Sequence, residues 1–95
     1  MEEQIKQGTY EIKQRARAGS YESNDLLVEV VPDTTLVILI KSVVDDLYHD
    51  AIKEQVEKTL SQLSITKGKI LIDDRGALDY AIRARVRAAI ERSSK

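Results

Sequence analysis

The sequence predicts a small α+β domain: a sheet of three to four strands, antiparallel in part, with two helices packed on one face, in the order (β)ββαβα. Three observations carry this. Two short runs rich in β-branched residues, "LLVEVV" and "TLVILI", are separated only by "PDT". Two longer stretches place apolar residues at three- and four-residue steps, the period of a helix with one buried face. A third strand-like run, "KILID", lies between those two stretches. Helices gathered on one face of a sheet make a two-layer sandwich.

Residues 1–18 are polar with scattered apolar positions and are broken at Gly8. Within them, 9–17 reads as a weak strand with Tyr10, Ile12 and Gln14 on one side. Residues 18–25, "AGSYESND", form a polar loop ahead of the first core strand, residues 26–31. Pro32 lacks an N–H and ends that strand, and Asp33 favours a turn. Residues 35–40 are nearly all apolar, so they are expected in a central position, covered on both faces or by helices on one and a partner on the other. The short connection predicts an antiparallel hairpin between these two strands.

Residues 42–63 are the clearest helix. Val44, Leu47, Tyr48, Ala51, Ile52, Val56, Thr59, Leu60 and Leu63 recur with helical spacing. Ser42 reads as its N-cap, and Asp45 as a capping-box partner one methylene shorter than usual. Asp45 and Asp46 also suit the positive end of the helix dipole. "TKG" closes the element, and residues 69–73 form the third strand. Asp74 opens the last helix, roughly residues 77–92. At about 100° per residue, Leu78, Ile82, Val86, Ala89 and Ile90 share one face. Ala77, Ala81, Ala84 and Ala88 form a narrow strip beside it, where another backbone can approach: the first helix or a partner subunit.

At 95 residues the chain fits a single domain, residues 1–95. Hydrophobic residues make up 42% and charged residues 33%, the balance of an ordinary soluble globular chain and not of a disordered one. Tyrosine is the sole aromatic, so the core must be Leu, Ile, Val and Ala. With 15 basic and 16 acidic residues the net charge is −1, which gives no general pull on nucleic acid. The absence of cysteine excludes disulfides, thiolate metal sites and cysteine nucleophiles. The longest apolar run, residues 36–40, is far too short for a membrane span, and "MEEQIKQGTY" is no secretory signal. A cytoplasmic protein without membrane association is expected.

Catalytic constellations are missing. "RARVRAAIER" has no interleaved aromatics for base stacking. Arg83 and Arg87 share a face, while Arg85 and Arg92 flank the apolar side and are candidate contacts for a phosphate or an acidic partner. His49, with Asp45, Asp46 and Asp50 nearby, falls short of a metal set and lacks a nucleophile to serve. Asp73, Asp74 and Asp79 lack the spacing of an EF-hand loop and read as acids at a helix start. The four glycines are too dispersed for a phosphate loop. No catalytic residue and no metal site is expected. Ser20 and Ser23 remain, in a loop whose plainest reading is a turn, and neither hydroxyl is activated by a neighbouring base.

Two segments resemble the acyl carrier protein (gamma subunit) family of bacterial citrate lyase. "AGSYESND" matches that family's Ala-Gly-Ser/Thr-x-Glu-Ser-x-Asp stretch, and "DDRGALDYAIRARVRAAIER" matches its Asp-Lys-Gly-Ala-Leu-Asp-Cys-x-x-Arg-Ala-Arg stretch. Both lie in the family's order and at a similar separation, so the resemblance spans about residues 11–92. It implies a carrier that is not itself an enzyme. The serine after the glutamate, here Ser23, would hold 2'-(5''-phosphoribosyl)-3'-dephospho-CoA through a phosphodiester. Gly19, Ser20, Glu22 and Asp25 would shape the loop around it, with Ser20 not the attachment point.

The resemblance also implies partners: a citrate lyase alpha (transferase) subunit, a beta (lyase) subunit, and a prosthetic-group transferase. The transferase exchanges acetyl for citryl on the arm's thiol, and the lyase splits the citryl thioester into oxaloacetate and the acetyl thioester. Two positions depart from the family. Arg75 stands where lysine is usual, and Tyr80 replaces a cysteine, a change of packing more than of chemistry. Residues 1–10 precede the family's usual start and read as an N-terminal extension: a flexible tail, an added edge strand or an upstream start. The carriers of citramalate lyase and malonate decarboxylase are the nearest alternatives. An unmodified α+β interaction module is the alternative from a different class.

Overall fold

The computed structural model describes residues 9–43 and 48–95. Strands β1 (Ala16–Gly19), β2 (Leu26–Val31) and β3 (Leu36–Ser42) come first, followed by helix α1 (His49–Gln62), strand β4 (Gly68–Asp74) and helix α2 (Asp79–Ser93). The four strands form one mixed sheet in the order β1-β2-β4-β3. β1 pairs antiparallel with β2 and β2 with β4, whereas β3 runs parallel to β4. This is the expected α+β class and element order.

The strict alternation of β2 explains its place. Leu26, Val28 and Val30 are fully buried, while Leu27, Glu29 and Val31 turn to the other face and are half-buried. In β4, Ile70 and Ile72 are buried beside Val30 and Val28 in register. Over this face lies α2 with Ile82, Val86, Ala89 and Ile90 buried, and α1 with Ile52, Val56 and Leu60 buried. Each buried Val, Leu or Ile side chain contributes about 1.5–3 kcal/mol by leaving water. Both helices lie on this one face. Among the described residues, the opposite face, with Leu27, Leu71 and Leu39, has no helix over it.

Several elements depart from the expectations. β2 and β3 do not form a hairpin, because β4 lies between them. β3 is an edge strand, with Leu36 41% and Leu39 53% exposed. A parallel pair needs a long crossover, and α1 supplies it between β3 and β4. The weak strand is shorter than expected and begins at Ala16. Ahead of it, Ile12 is buried, the Tyr10 N–H donates to the Leu63 carbonyl at 3.1 Å, and the Lys13 N–H to that of Ser93 at 3.0 Å. That segment is thus bonded to the ends of both helices instead of to the sheet.

Ser42 ends β3, and the helix start it was expected to cap lies outside the described residues. α1 starts at His49, with Tyr48 and Ala51 exposed beside its buried face. Val44, Asp45, Asp46, Leu47 and the first eight residues of the N-terminal extension lie outside the described residues. Asp74 does not open a helix; it ends β4, and α2 starts five residues later, after the exposed Leu78. Of the alanine strip, Ala77, Ala81 and Ala88 pack half-buried against the core, while Ala84 is exposed. α1 lies against α2, and the Arg83 guanidinium donates across to the Gln55 side chain at 2.7 Å.

Candidate functional site

The "AGSYESND" stretch closes the β1–β2 hairpin, and residues 20–25 form its loop. The loop holds itself first. The Ser20 hydroxyl donates to Asp25 Oδ2 at 2.7 Å and accepts the Glu22 N–H at 3.2 Å. The Ser20 N–H donates to the Leu26 carbonyl at 3.1 Å, and the Asp25 N–H to that of Glu22 at 3.1 Å. Gly19 makes the entry possible. Its φ is +98°, and a Cβ there would stand 1.9 Å from the Leu26 carbonyl oxygen. Asn24 takes the left-handed conformation at φ 67°, which a short polar side chain tolerates.

The segment after β4 grips the loop from one side. The Asn24 N–H donates to the Arg75 carbonyl and the Arg75 N–H to that of Asp25, both at 2.8 Å, so the β2–β4 ladder continues into the loop. The Arg75 guanidinium lies over the Tyr21 ring, 5.2 Å from its centroid, and donates to Asp73 at 3.0 Å. Asp74 fixes this segment from beneath. It is buried, and it accepts the Ser42 hydroxyl at 2.8 Å and the N–H groups of Gly76 at 3.1 Å and Ala77 at 3.0 Å.

α2 grips it from the other side. Arg85 donates through Nε to Asp25 Oδ1 at 3.1 Å and through Nη2 to Oδ2 at 2.9 Å, a two-pronged pair. Burial pushes the Asp25 carboxyl up. The hydrogen bonds from Arg85, Ser20 and the Leu26 N–H, with the charge of Arg85, outweigh that and hold it below its ordinary value. Arg92 lies apart from the loop and donates to the Arg17 carbonyl at 2.6 Å, tying the end of α2 to β1.

This network separates the two serines. The Ser20 hydroxyl is engaged on both sides. Ser23 is exposed near the tip, and among the described residues nothing hydrogen-bonds its hydroxyl. Glu22 is exposed beside it. Among the described residues no base is bonded to the Ser23 hydroxyl, so nothing there activates it as a nucleophile. His49 is an exposed residue 4.0 Å from the Asp50 carboxylate, and no metal-binding cluster occurs among the described residues.

The structure brings together Gly19, Ser20, Glu22, Ser23, Asp25 and Arg85, and leaves Arg92 apart. Sequence reasoning missed the supporting half of the site: Tyr21, Asn24, Asp74, Arg75 and Gly76. Their signal was present in "DDRG", a polar turn directly after a strand. Only the β2–β4 pairing reveals that this turn faces the serine loop.

Residues 13–93 match the family described as malonate decarboxylase delta subunit (MdcD), an acyl carrier protein family. The citrate lyase acyl carrier protein of Pectobacterium carotovorum is 44% identical over 84 residues, covering 87% of this chain and 88% of that one. That of Halothermothrix orenii is 41% identical over 86 residues, covering 90% and 92%. A chain of a Pseudomonas malonate decarboxylase hetero-tetramer, crystallised with malonate, shares the fold at a TM-score of 0.75 and 24% identity, over 90% of this chain and 88% of that one. No helix among the described residues is long and apolar enough to cross a membrane. With identities above 40% along nearly the whole length of both chains, this chain belongs to the family of citrate lyase acyl carrier proteins.

Proposed function

We propose that this chain is the acyl carrier subunit of a citrate lyase complex, and that Ser23 is where its prosthetic group is joined. One observation carries the site: in a member of an acyl carrier family, the loop is locked by bonds from three elements, yet the Ser23 hydroxyl is exposed and unbonded. Ser20, engaged with Asp25 and Glu22, serves the loop's shape instead.

The proposed group is 2'-(5''-phosphoribosyl)-3'-dephospho-CoA, linked as a phosphodiester. The local chemistry suits it, with a free primary hydroxyl for the ester and the guanidinium of Arg75 over the Tyr21 ring of the same loop. When bound, the group supplies a thiol that holds acetyl and citryl units as thioesters. The chain's own residues move no proton in that chemistry. Gly19 and Asn24 set the turn, Asp25 and Arg85 hold it, and Ser23 fixes the tether. Tethering raises the local concentration of the thioester at two active sites in turn. Those sites belong to the proposed partners, an alpha transferase and a beta lyase subunit in the cytoplasm, after a prosthetic-group transferase has loaded the carrier.

The test is the intact mass of the protein from its native source under citrate fermentation, followed by peptide mapping. An added phosphoribosyl-dephospho-CoA on the peptide containing Ser23 is the expected result. An unmodified mass from cells with active complex would overturn the reading. The family description and the shared fold favour one second reading, a malonate decarboxylase carrier, and the subunits that co-purify distinguish the two.

A further inference from the structure

We infer that the uncovered face of the sheet beside the loop is a resting groove for the chain's own nucleotide-and-pantetheine arm. The inference rests on the attachment at Ser23 proposed above. The groove is walled by Tyr21 of the loop, floored by Leu27, Leu71 and Leu39, and rimmed by Lys41 and Asp73. In register, Leu71 lies beside Leu39 across the β3–β4 ladder, and Leu27 of β2 lies beside Asp73 of β4. Leu27 and Leu71 are therefore diagonal neighbours within reach of each other. The leucines form one apolar track that starts at the loop and crosses to the edge strand.

Three features favour the arm as occupant. The first is the tether. Tyr21, which walls the groove, is two residues from Ser23, a span of roughly 7 Å at full extension. A ligand fixed there enters the groove as an intramolecular event and does not pay for free association.

The second is charge. Glu29 is held by Arg15 and Arg17, and Asp73 by Arg75, so both groove carboxylates are neutralised. Lys41 has no carboxylate within ion-pair distance among the described residues. Among the described residues the local balance is cationic and suits a diphosphate. The Tyr21 ring under the Arg75 guanidinium offers aromatic and cationic surface of the kind that purines stack on.

The third is the mixture itself. Charged Glu29, Lys41, Lys69 and Asp73 alternate with the leucines on this face. The buried centre of a protein–protein interface is depleted in such charges. An arm with an apolar stretch between a nucleotide and a thioester suits that alternation.

The experiment compares backbone amide chemical shifts of the unmodified protein with those of the loaded protein, whose arm on Ser23 is first verified by mass. The expected result is a set of changes at Leu27, Leu39, Lys41 and Leu71 as well as in the loop. Leu39→Glu and, separately, Lys41→Glu should return those face resonances toward the unmodified positions while the mass still shows the arm. Changes confined to residues 19–26 and 74–76 in the loaded protein would overturn the groove and leave the attachment standing. Face changes that appear only when the lyase or transferase subunit is added would also overturn it, and would assign the face to that partner. A mass without the arm on Ser23 would overturn the attachment, and the groove with it.

Discussion

Arg85→Ala removes the guanidinium that spans Asp25, and the structure sets the size of the effect. The Arg85 side chain is 43% exposed and that of Asp25 16%. The pair therefore lies between an exposed ion pair, worth about 0.2–1 kcal/mol, and a buried one, whose breakage costs about 3–5 kcal/mol. Asp25 keeps the Ser20 hydroxyl and the Leu26 N–H, so its charge is not stranded. The expected loss is about 1–2 kcal/mol at pH 7, near the middle of those limits. With a urea slope of about 1–3 kcal/mol per molar for a small domain, the midpoint should fall by about 1 M.

The pH dependence of that loss tests the cause. Because the Asp25 carboxyl is held below its ordinary value in the folded state, the unfolded chain binds more protons at mildly acidic pH. Its stabilisation is complete above the unfolded value of about 3.9 and is lost as pH falls through the depressed folded value. The gap between wild type and Arg85→Ala should stay nearly constant from neutral pH down to about pH 5 and close below about pH 4. Urea melts read by circular dichroism at stepped pH measure it. Equal midpoints at pH 7, or a gap undiminished well below the folded value, would refute the assigned role of the pair.

Four further predictions concern the loop and the segment that supports it. Ser23→Ala should change stability by less than about 0.5 kcal/mol, as exposed substitutions usually do, while abolishing attachment of the arm. Ser20→Ala should retain the arm but lose about 1 kcal/mol of stability, and the reverse outcome, by mass and melting together, would exchange the roles of the two serines. Gly19→Ala forces a side chain onto the Leu26 carbonyl at a positive φ, and should cost about 2 kcal/mol or more, a fall of roughly 10 °C in Tm; an unchanged Tm would mean that the hairpin relaxes freely. Asp74→Ala removes the carboxylate that accepts from the Ser42 hydroxyl and from two N–H groups and should cost about 2–4 kcal/mol, with Asp74→Asn milder, measured by the same melts.

What was legible in the sequence follows from the range of the forces involved. The alternation of "LLVEVV" and the helical spacing of Ile82, Val86 and Ile90 are local patterns, and both describe the folded elements correctly. Strand neighbours are not a local property. "PDT" favoured a hairpin because a short connection usually joins adjacent strands. The more strictly alternating "KILIDD" instead takes the central position, and the apolar "LVILI" is left at the edge. Ser42 and Asp74 had the composition of helix caps, and only the parallel β3–β4 register sets them side by side. In the loop, Gly19, Ser20 and Asp25 act on near neighbours and were legible together. Arg75 acts across the β2–β4 pairing, so its role was hidden with it. Arg85 is the intermediate case, since helical geometry placed it on the flank of the buried face but not opposite Asp25.

The proposed attachment at Ser23 also gives a reason for so much support around its loop. A tether improves encounter with two active sites only if its anchor is fixed, because ordering a mobile anchor on each visit would consume binding free energy. Here the loop's shape depends on β1 and β2, on the turn after β4 and on α2, with contacts to residues as far away in sequence as Arg85. No short peptide around Ser23 contains those partners. Under the proposed attachment at Ser23, recognition by a loading enzyme would therefore depend on the folded domain, which would keep the arm from being placed on an unfolded or incomplete chain. The same contacts leave Ser23 as the loop serine without a hydrogen bond among the described residues, so the proposed modification would disturb none of the bonds that hold the anchor in place.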